Sequence, residues 1–137
     1  MSLKIKRIII DTNLWISFLI TNDFKKLDHF LNSDKYLVVF SDELFNEFFE
    51  VVHREKFARY FNDLNIKILV EIINEKALFV KVFSIVNVCR DVKDNFLLSL
   101  AIDGDVDYLI TGDNDLLILK HYKKTSILTI NDFISTL

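Results

Sequence analysis

The feature that most constrains this chain is a set of short runs with no polar face. Ile8-Ile9-Ile10 stands inside RIIID (7–11), and YLVVF (36–40) has the same character. A strand exposed on one side alternates apolar with polar, because successive side chains point to opposite faces. A run that is apolar at every position belongs to a strand buried on both faces, as in parallel sheets. LFVKV (78–82), DYLIT (107–111) and SILTI (126–130) complete a series of five β-rich runs.

Segments of helical character lie between them. Residues 13–20 and 23–31 form one pair, 42–53 is strongly amphipathic, and 65–76, 91–102 and 132–137 follow. Alternating strands and helices imply βαβ crossovers. The expected class is α/β, a three-layer α/β/α sandwich around a central parallel sheet of four to five strands. The chain has no proline, so element boundaries rest on periodicity alone. With 137 residues and no repeat or linker, it reads as a single domain over 1–137.

Composition narrows the function classes. Hydrophobic residues make up 51% and charged residues 27%, a globular balance. The net charge of −3 neither advertises nor excludes nucleic acid, since the local field at a site steers a ligand. The lone Cys89 permits no intrachain disulfide and reads as a small buried hydrophobe in a reducing compartment. Lys4, Lys6 and Arg7 precede an apolar stretch as in a signal peptide, but Asp11 and Asn13 interrupt it. No uninterrupted apolar run is long enough to span a membrane. A soluble, cytoplasmic protein is expected.

The chemistry sits at the ends of the runs, where ligands bind in open α/β sheets. Asp11 closes the first run in IIIDTN, and Asp113 and Asp115 follow the fourth in LITGDND. Gly112 suits a tight turn between them. A carboxylate at a buried strand tip is costly unless paired, hydrogen-bonded or bound to a cation. No Lys or Arg stands beside either tip, so a cation is the expectation. Glu47 is a third candidate, beside the Leu44, Phe48 and Val51 stripe, with Glu43 and Glu50 more to the solvent side. Asp94 is a fourth. Its competing reading is a helix-start acid behind an Asp91 N-cap. Converging carboxylates without a histidine cluster suit Mg²⁺ or Mn²⁺ rather than zinc. His29, His53 and His121 are scattered and read as surface or cap residues. A metal held by acids activates water and neutralises charge on phosphorus, which is the chemistry of phosphodiester hydrolysis.

DTNLWISFL, SDELFNEFFEVVHREKF and DVKDNFLLSLAIDGDVDYLITGDNDLL together resemble a PIN-domain protein, most of all the VapC-like toxins of bacterial toxin–antitoxin pairs. The resemblance runs in order over about residues 6–133. It implies a Mg²⁺- or Mn²⁺-dependent ribonuclease whose catalytic and metal-binding acids fall on Asp11, Glu47, Asp94 and Asp113. Asn13, Thr111 and Asp115 match supporting positions. Val92 departs from the Asp-Pro-Lys-Asp of many relatives but removes no ligand. The toxin reading implies an RNA substrate, a cognate antitoxin and a homodimer, with no membrane.

Of the basic groups, Arg54 and Lys56 are the preferred RNA contacts, because they leave the helix carrying Glu47. Lys25 with Lys26, Arg59, and the set Lys120, His121, Lys123 and Lys124 read as solvated surface. Trp15 and Phe18 read as core or dimer packing ahead of base stacking. Two other readings compete. An aspartate phosphatase of the haloacid-dehalogenase kind wants a second Asp where Asn13 stands, and an aspartyl phospho-acceptor domain wants an acid pair and late Lys that are missing. A PIN fold kept as an inactive RNA- or protein-binding module would be favoured by loss of an acid, and all four are present.

Overall fold

The computed structural model describes residues 5–21 and 32–136. The helix expected over 23–31, with Lys25, Lys26 and His29, lies outside the described residues. Among the described residues, six strands are present: β1 (Lys6–Ile10), β2 (Tyr36–Phe40), β3 (Leu78–Phe79), β4 (Tyr108–Ile110), β5 (His121–Tyr122) and β6 (Thr125–Leu128). Among the described residues, the helices are α1 (Thr12–Ile20), α2 (Asp42–Val52), α3 (Asp63–Lys76), α4 (Asn95–Asp103), α5 (Asn114–Leu117) and α6 (Ile130–Ser135). Short 3₁₀ turns occupy Glu55–Phe57 and Val92–Asp94.

The sheet order is β3-β2-β1-β4-β6-β5, all neighbours parallel except the β5–β6 pair. The triple isoleucine lies at its centre. Ile8 sits beside Val38 on one side and Tyr108 on the other, and Ile10 beside Ile110. All three isoleucines are fully buried, as a strand covered on both faces must be. The chain winds outward from β1 to β2 and β3, then returns to place β4 on the opposite flank of β1. That reversal makes the carboxyl ends of β1 and β4 the topological switch point.

Helices cover both faces. Trp15 of α1 packs its ring 5.9 Å from Phe40 and 6.1 Å from Phe48 of α2. On the opposite side of β2, Val39 meets the end of α4, where a Cβ on Gly104 would come within 3.1 Å of Val39 and 2.9 Å of the Leu100 carbonyl oxygen. Only glycine allows that approach. The α2 helix begins because the Ser41 hydroxyl accepts the Leu44 N–H at 3.1 Å and Asp42 and Glu43 lie in the first turn. Its apolar stripe of Leu44, Phe48 and Val51 is buried.

The α/β class and its flanked, mostly parallel sheet stand as expected, with two differences of detail. The run 78–82 pairs only through Leu78–Phe79, because β2 ends at Phe40, whose carbonyl takes the Val80 N–H as a last bond. The sheet also gains β5, an antiparallel strand joined to β6 by Lys123-Lys124, with Lys123 at φ 51°. Among the described residues, no helix is long and apolar enough to cross a membrane.

Candidate metal centre

Asp11 and Asp113 are brought together by the backbone before any side chain acts. The Asp11 N–H donates to the Ile110 carbonyl at 3.0 Å, fastening the end of β1 to the end of β4. Thr111 follows directly and is fully buried. Its hydroxyl donates to Asp11 Oδ2 at 2.8 Å and accepts the Asp113 N–H at 3.0 Å. One hydroxyl therefore spaces two acids. Asp113 then caps α5, its Oδ1 accepting the Asp115 N–H at 2.8 Å.

Asp94 arrives from the far side of the sheet. The 3₁₀ turn before α4 is capped by Asp91, whose Oδ1 accepts the Lys93 N–H at 3.0 Å. Asp94 occupies the N-cap of α4 yet makes no capping bond. Its carboxyl faces Asp113 instead, and its Oδ2 is buried without a hydrogen-bond partner. The helix-start reading thus holds for Asp91, while Asp94 is turned into the cluster. Carboxylate oxygens of Asp94, Asp113 and Asp115 all lie within 4.8 Å of one another.

Glu47 approaches from α2. It is half-buried, whereas Glu43 and Glu50 are exposed, as the stripe predicted. The Thr12 hydroxyl donates to Glu47 Oε2 at 3.3 Å. Asn13 is exposed, and its main-chain N–H, with that of Thr12, faces the Asp11 carboxylate.

The electrostatics follow from crowding like charges in a partly dry place. Burial, and then the neighbouring Asp113, raise the Asp11 pKa despite the Thr111 bond. Burial and the Asp11 charge raise Glu47. Asp94 is pushed up to about 7 by burial first, then by its hydrogen bond and repulsion with Asp113. Ion pairs among the described residues join Arg54 to Glu50 at 3.8 Å and Lys124 to Asp105 and Asp107 at 2.7 and 3.5 Å. None of them touches the five acids of the cluster.

An oxygen-only set with an orphaned buried carboxylate oxygen fits a hard divalent cation. Asp94, Asp113 and Asp115 could hold it directly, with Asp11 and Glu47 adjoining.

Three neighbours were not singled out for the site from the sequence. Thr12 and Asn95 are buried polar residues at helix starts, and that combination was the available signal. Cys89 is half-buried, and burial and four nearby aspartates push its thiol up to about 11. Of the basic residues, Arg54 lies near enough to Glu47 to lower its pKa. Lys56 rests its ammonium 5.1 Å from the Phe57 ring. Lys124 is engaged on the opposite edge of the sheet, beside Asp105 and Asp107. Trp15 and Phe18 are core residues. His53 caps the end of α2, with Nδ1 2.7 Å from the Phe49 carbonyl oxygen.

A mostly parallel α/β sheet with an acid cluster at its switch point defines a class of folds whose strand ends can hold a divalent cation. The family model of the PIN domain matches residues 7–115, and this chain belongs to the PIN-domain family. PIN domains are nuclease-like and commonly bind divalent metals through acidic residues. No curated protein and no solved structure matches the chain.

Proposed function

We propose that this single-domain protein is a Mg²⁺- or Mn²⁺-dependent endoribonuclease, the toxin of a type II toxin–antitoxin pair. It works in the cytoplasm as a homodimer and is held silent by a cognate antitoxin. One observation carries the nuclease reading. Three carboxylates converge at the switch point with a buried oxygen of Asp94 left unpartnered.

In this reading Asp11, Glu47, Asp94 and Asp113 are the catalytic acids, and the cation is held directly by Asp94 and Asp113 with Asp115, which joins them as a ligand, while Asp11 and Glu47 adjoin it. A bound divalent ion supplies an activated water and neutralises charge developing on phosphorus. The chain's own groups prepare that place. Thr111 fixes the spacing of Asp11 and Asp113. Thr12 orients Glu47. Asn13 contributes its main-chain N–H to Asp11. Asp94, protonated in part at neutral pH, gives up its proton when a cation takes its charge. Arg54, beside Glu47, and Lys56 contact RNA phosphates as they enter.

The test is cleavage of a mixed RNA pool by purified protein in Mg²⁺, Mn²⁺ or EDTA, with Asp11→Asn and Asp113→Asn in parallel. Cleavage that needs metal and is lost in both variants supports nuclease and site together. A folded protein that binds RNA and never cleaves it supports a binding module instead.

A further inference from the structure

The run between β3 and α4 delivers Asp94 to the cluster, and burial alone does not hold it. Val86 is 5% exposed, but from Asn87 to Lys93 every residue except Cys89 is exposed, Val92 at 75%. A stretch so lightly buried keeps its place through hydrogen bonds.

Those bonds converge on one oxygen. Asn95 opens α4 and is 7% exposed. Its side-chain Oδ1 accepts the N–H of Val88 at 3.2 Å and that of Cys89 at 2.9 Å. The loop so closed, 88–95, contains the 3₁₀ turn that ends on Asp94. Inside it the Asp94 N–H donates to the Asp91 carbonyl at 3.0 Å, and the Lys93 N–H to Asp91 Oδ1 at 3.0 Å. Farther along the helix, Ser99 Oγ donates to the Asn95 carbonyl at 3.2 Å. Asp94 makes no capping bond with its own side chain. Its direction is therefore set by the backbone that carries it, and Asn95 sets that backbone.

We infer that Asn95 is a positioning residue for the metal centre: by clamping residues 88 and 89 to the start of α4, it aims the Asp94 carboxyl at Asp113 and Asp115. The residue type suits the task. An amide oxygen accepts two N–H groups without adding a further negative charge beside the acids. Truncation frees the exposed run 87–93 to swing, and Asp94 moves with it. A site whose supporting groups are loosened loses affinity for its ion. This role rests on the metal reading proposed above, and assigns part of the cation affinity to a residue outside the acid set.

The far end of α4 supplies a comparison. Asp103 Oδ2 also accepts two N–H groups from the same run, those of Phe83 at 2.6 Å and Ser84 at 2.7 Å. It stands nine positions after Asp94, about 13 Å along the helix.

The test is Mn²⁺ binding to the full chain by isothermal titration calorimetry, beside amide exchange of residues 88 and 89 in EDTA. In Asn95→Ala both amides lose protection and Mn²⁺ affinity falls roughly tenfold or more. Asn95→Ser withdraws the acceptor by one bond and replaces the alanine variant if that one does not fold. Asn95→Asp restores the acceptor and adds a charge that lowers the melting temperature in EDTA. Its amides stay protected and it binds Mn²⁺ at least as tightly as wild type, so affinity parts from stability. Asp103→Ala frees the opposite end of the run and changes Mn²⁺ affinity by less than about twofold. Equal affinity in wild type and Asn95→Ala overturns the positioning role and leaves the metal centre standing. So does an Asn95→Asp variant as weak as Asn95→Ala, or an equal loss in Asp103→Ala, because any loosening of the run would then suffice. A wild type that binds no Mn²⁺ overturns the metal reading itself, and this role with it.

Discussion

Replacing Asp94 by asparagine is expected to stabilise the metal-free protein at neutral and alkaline pH. Asp94 ionises near 3.8 in an ordinary setting and near 7 in the fold, because burial and Asp113 both oppose its charge. The sign follows from which state holds the proton. Below about pH 4 both states are protonated and the group's favourable contribution is fully present. As pH rises through about 7 the folded chain must also ionise, and that contribution is lost. Three pH units correspond to about 4 kcal/mol at face value. Asp94 is only half-buried, so solvent screening reduces this to roughly 1–2 kcal/mol. The amide of the Asp94→Asn variant carries no charge and escapes the loss. In EDTA at pH 8 the variant should melt higher by roughly 3–8 °C, with the two curves converging toward pH 4. Asp11 and Glu47 are shifted in the same direction, so both proteins keep some residual loss with rising pH. Manganese reverses the order. A cation that binds only the folded state adds about 2.7 kcal/mol at a hundredfold excess over its Kd. Wild type receives that gain, and the variant, missing a ligand, receives less. The assay is thermal melting followed by circular dichroism from pH 4 to 8, in EDTA and in Mn²⁺. A variant less stable than wild type in EDTA at pH 8 would falsify the reasoning, because the repulsion assigned to Asp94 would not be felt.

Thr111→Val removes the hydroxyl that serves both Asp11 and Asp113, and should cost about 1–3 kcal/mol in urea unfolding, with Thr111→Ser recovering most of it. The two glycines should behave oppositely. Gly104→Ala meets the Leu100 carbonyl and should cost about 1–3 kcal/mol, while Gly112→Ala meets nothing within 4 Å and should be neutral or stabilising by up to about 1 kcal/mol. Arg54→Ala loses an exposed contact with Glu50 and a screened attraction to Glu47, so stability should change by less than about 0.5 kcal/mol. If Arg54 contacts a phosphate, the same variant lowers the salt dependence of RNA binding by about one counterion; an unchanged slope removes Arg54 from the interface.

The Gly112 prediction shows where sequence reasoning assigned the wrong cause. A glycine before two aspartates suggests a turn that needs its freedom, yet no glycine in the described residues has positive φ. The positive-φ positions are Asp105, Lys120 and Lys123. Two of these shape the β5–β6 hairpin, which carries no Asn-Gly or Asp-Gly signal. Strand β5 therefore had no local mark. Lys124, in the same turn, reads as a free cation until β4 brings Asp105 and Asp107 beside it.

What the sequence by itself determined is the set of parts. Runs such as Ile8-Ile9-Ile10 can lie only inside a sheet covered on both faces, so the α/β class follows from local pattern. Asp11, Asp113 and Asp115 follow too, because a carboxylate next to such a run must sit at a strand tip. Only the tertiary structure decided which parts meet. Asp94 is far along the chain from Asp11, and its direction depends on α4 packing against the face of β2 opposite α1 and α2. Cys89 becomes a neighbour of the acids for the same reason, and Thr12 reaches Glu47 only because α1 packs against α2. Periodicity reports which way a side chain faces within its own element. The partner across the gap is set by crossover geometry and packing, which no stretch of a dozen residues contains.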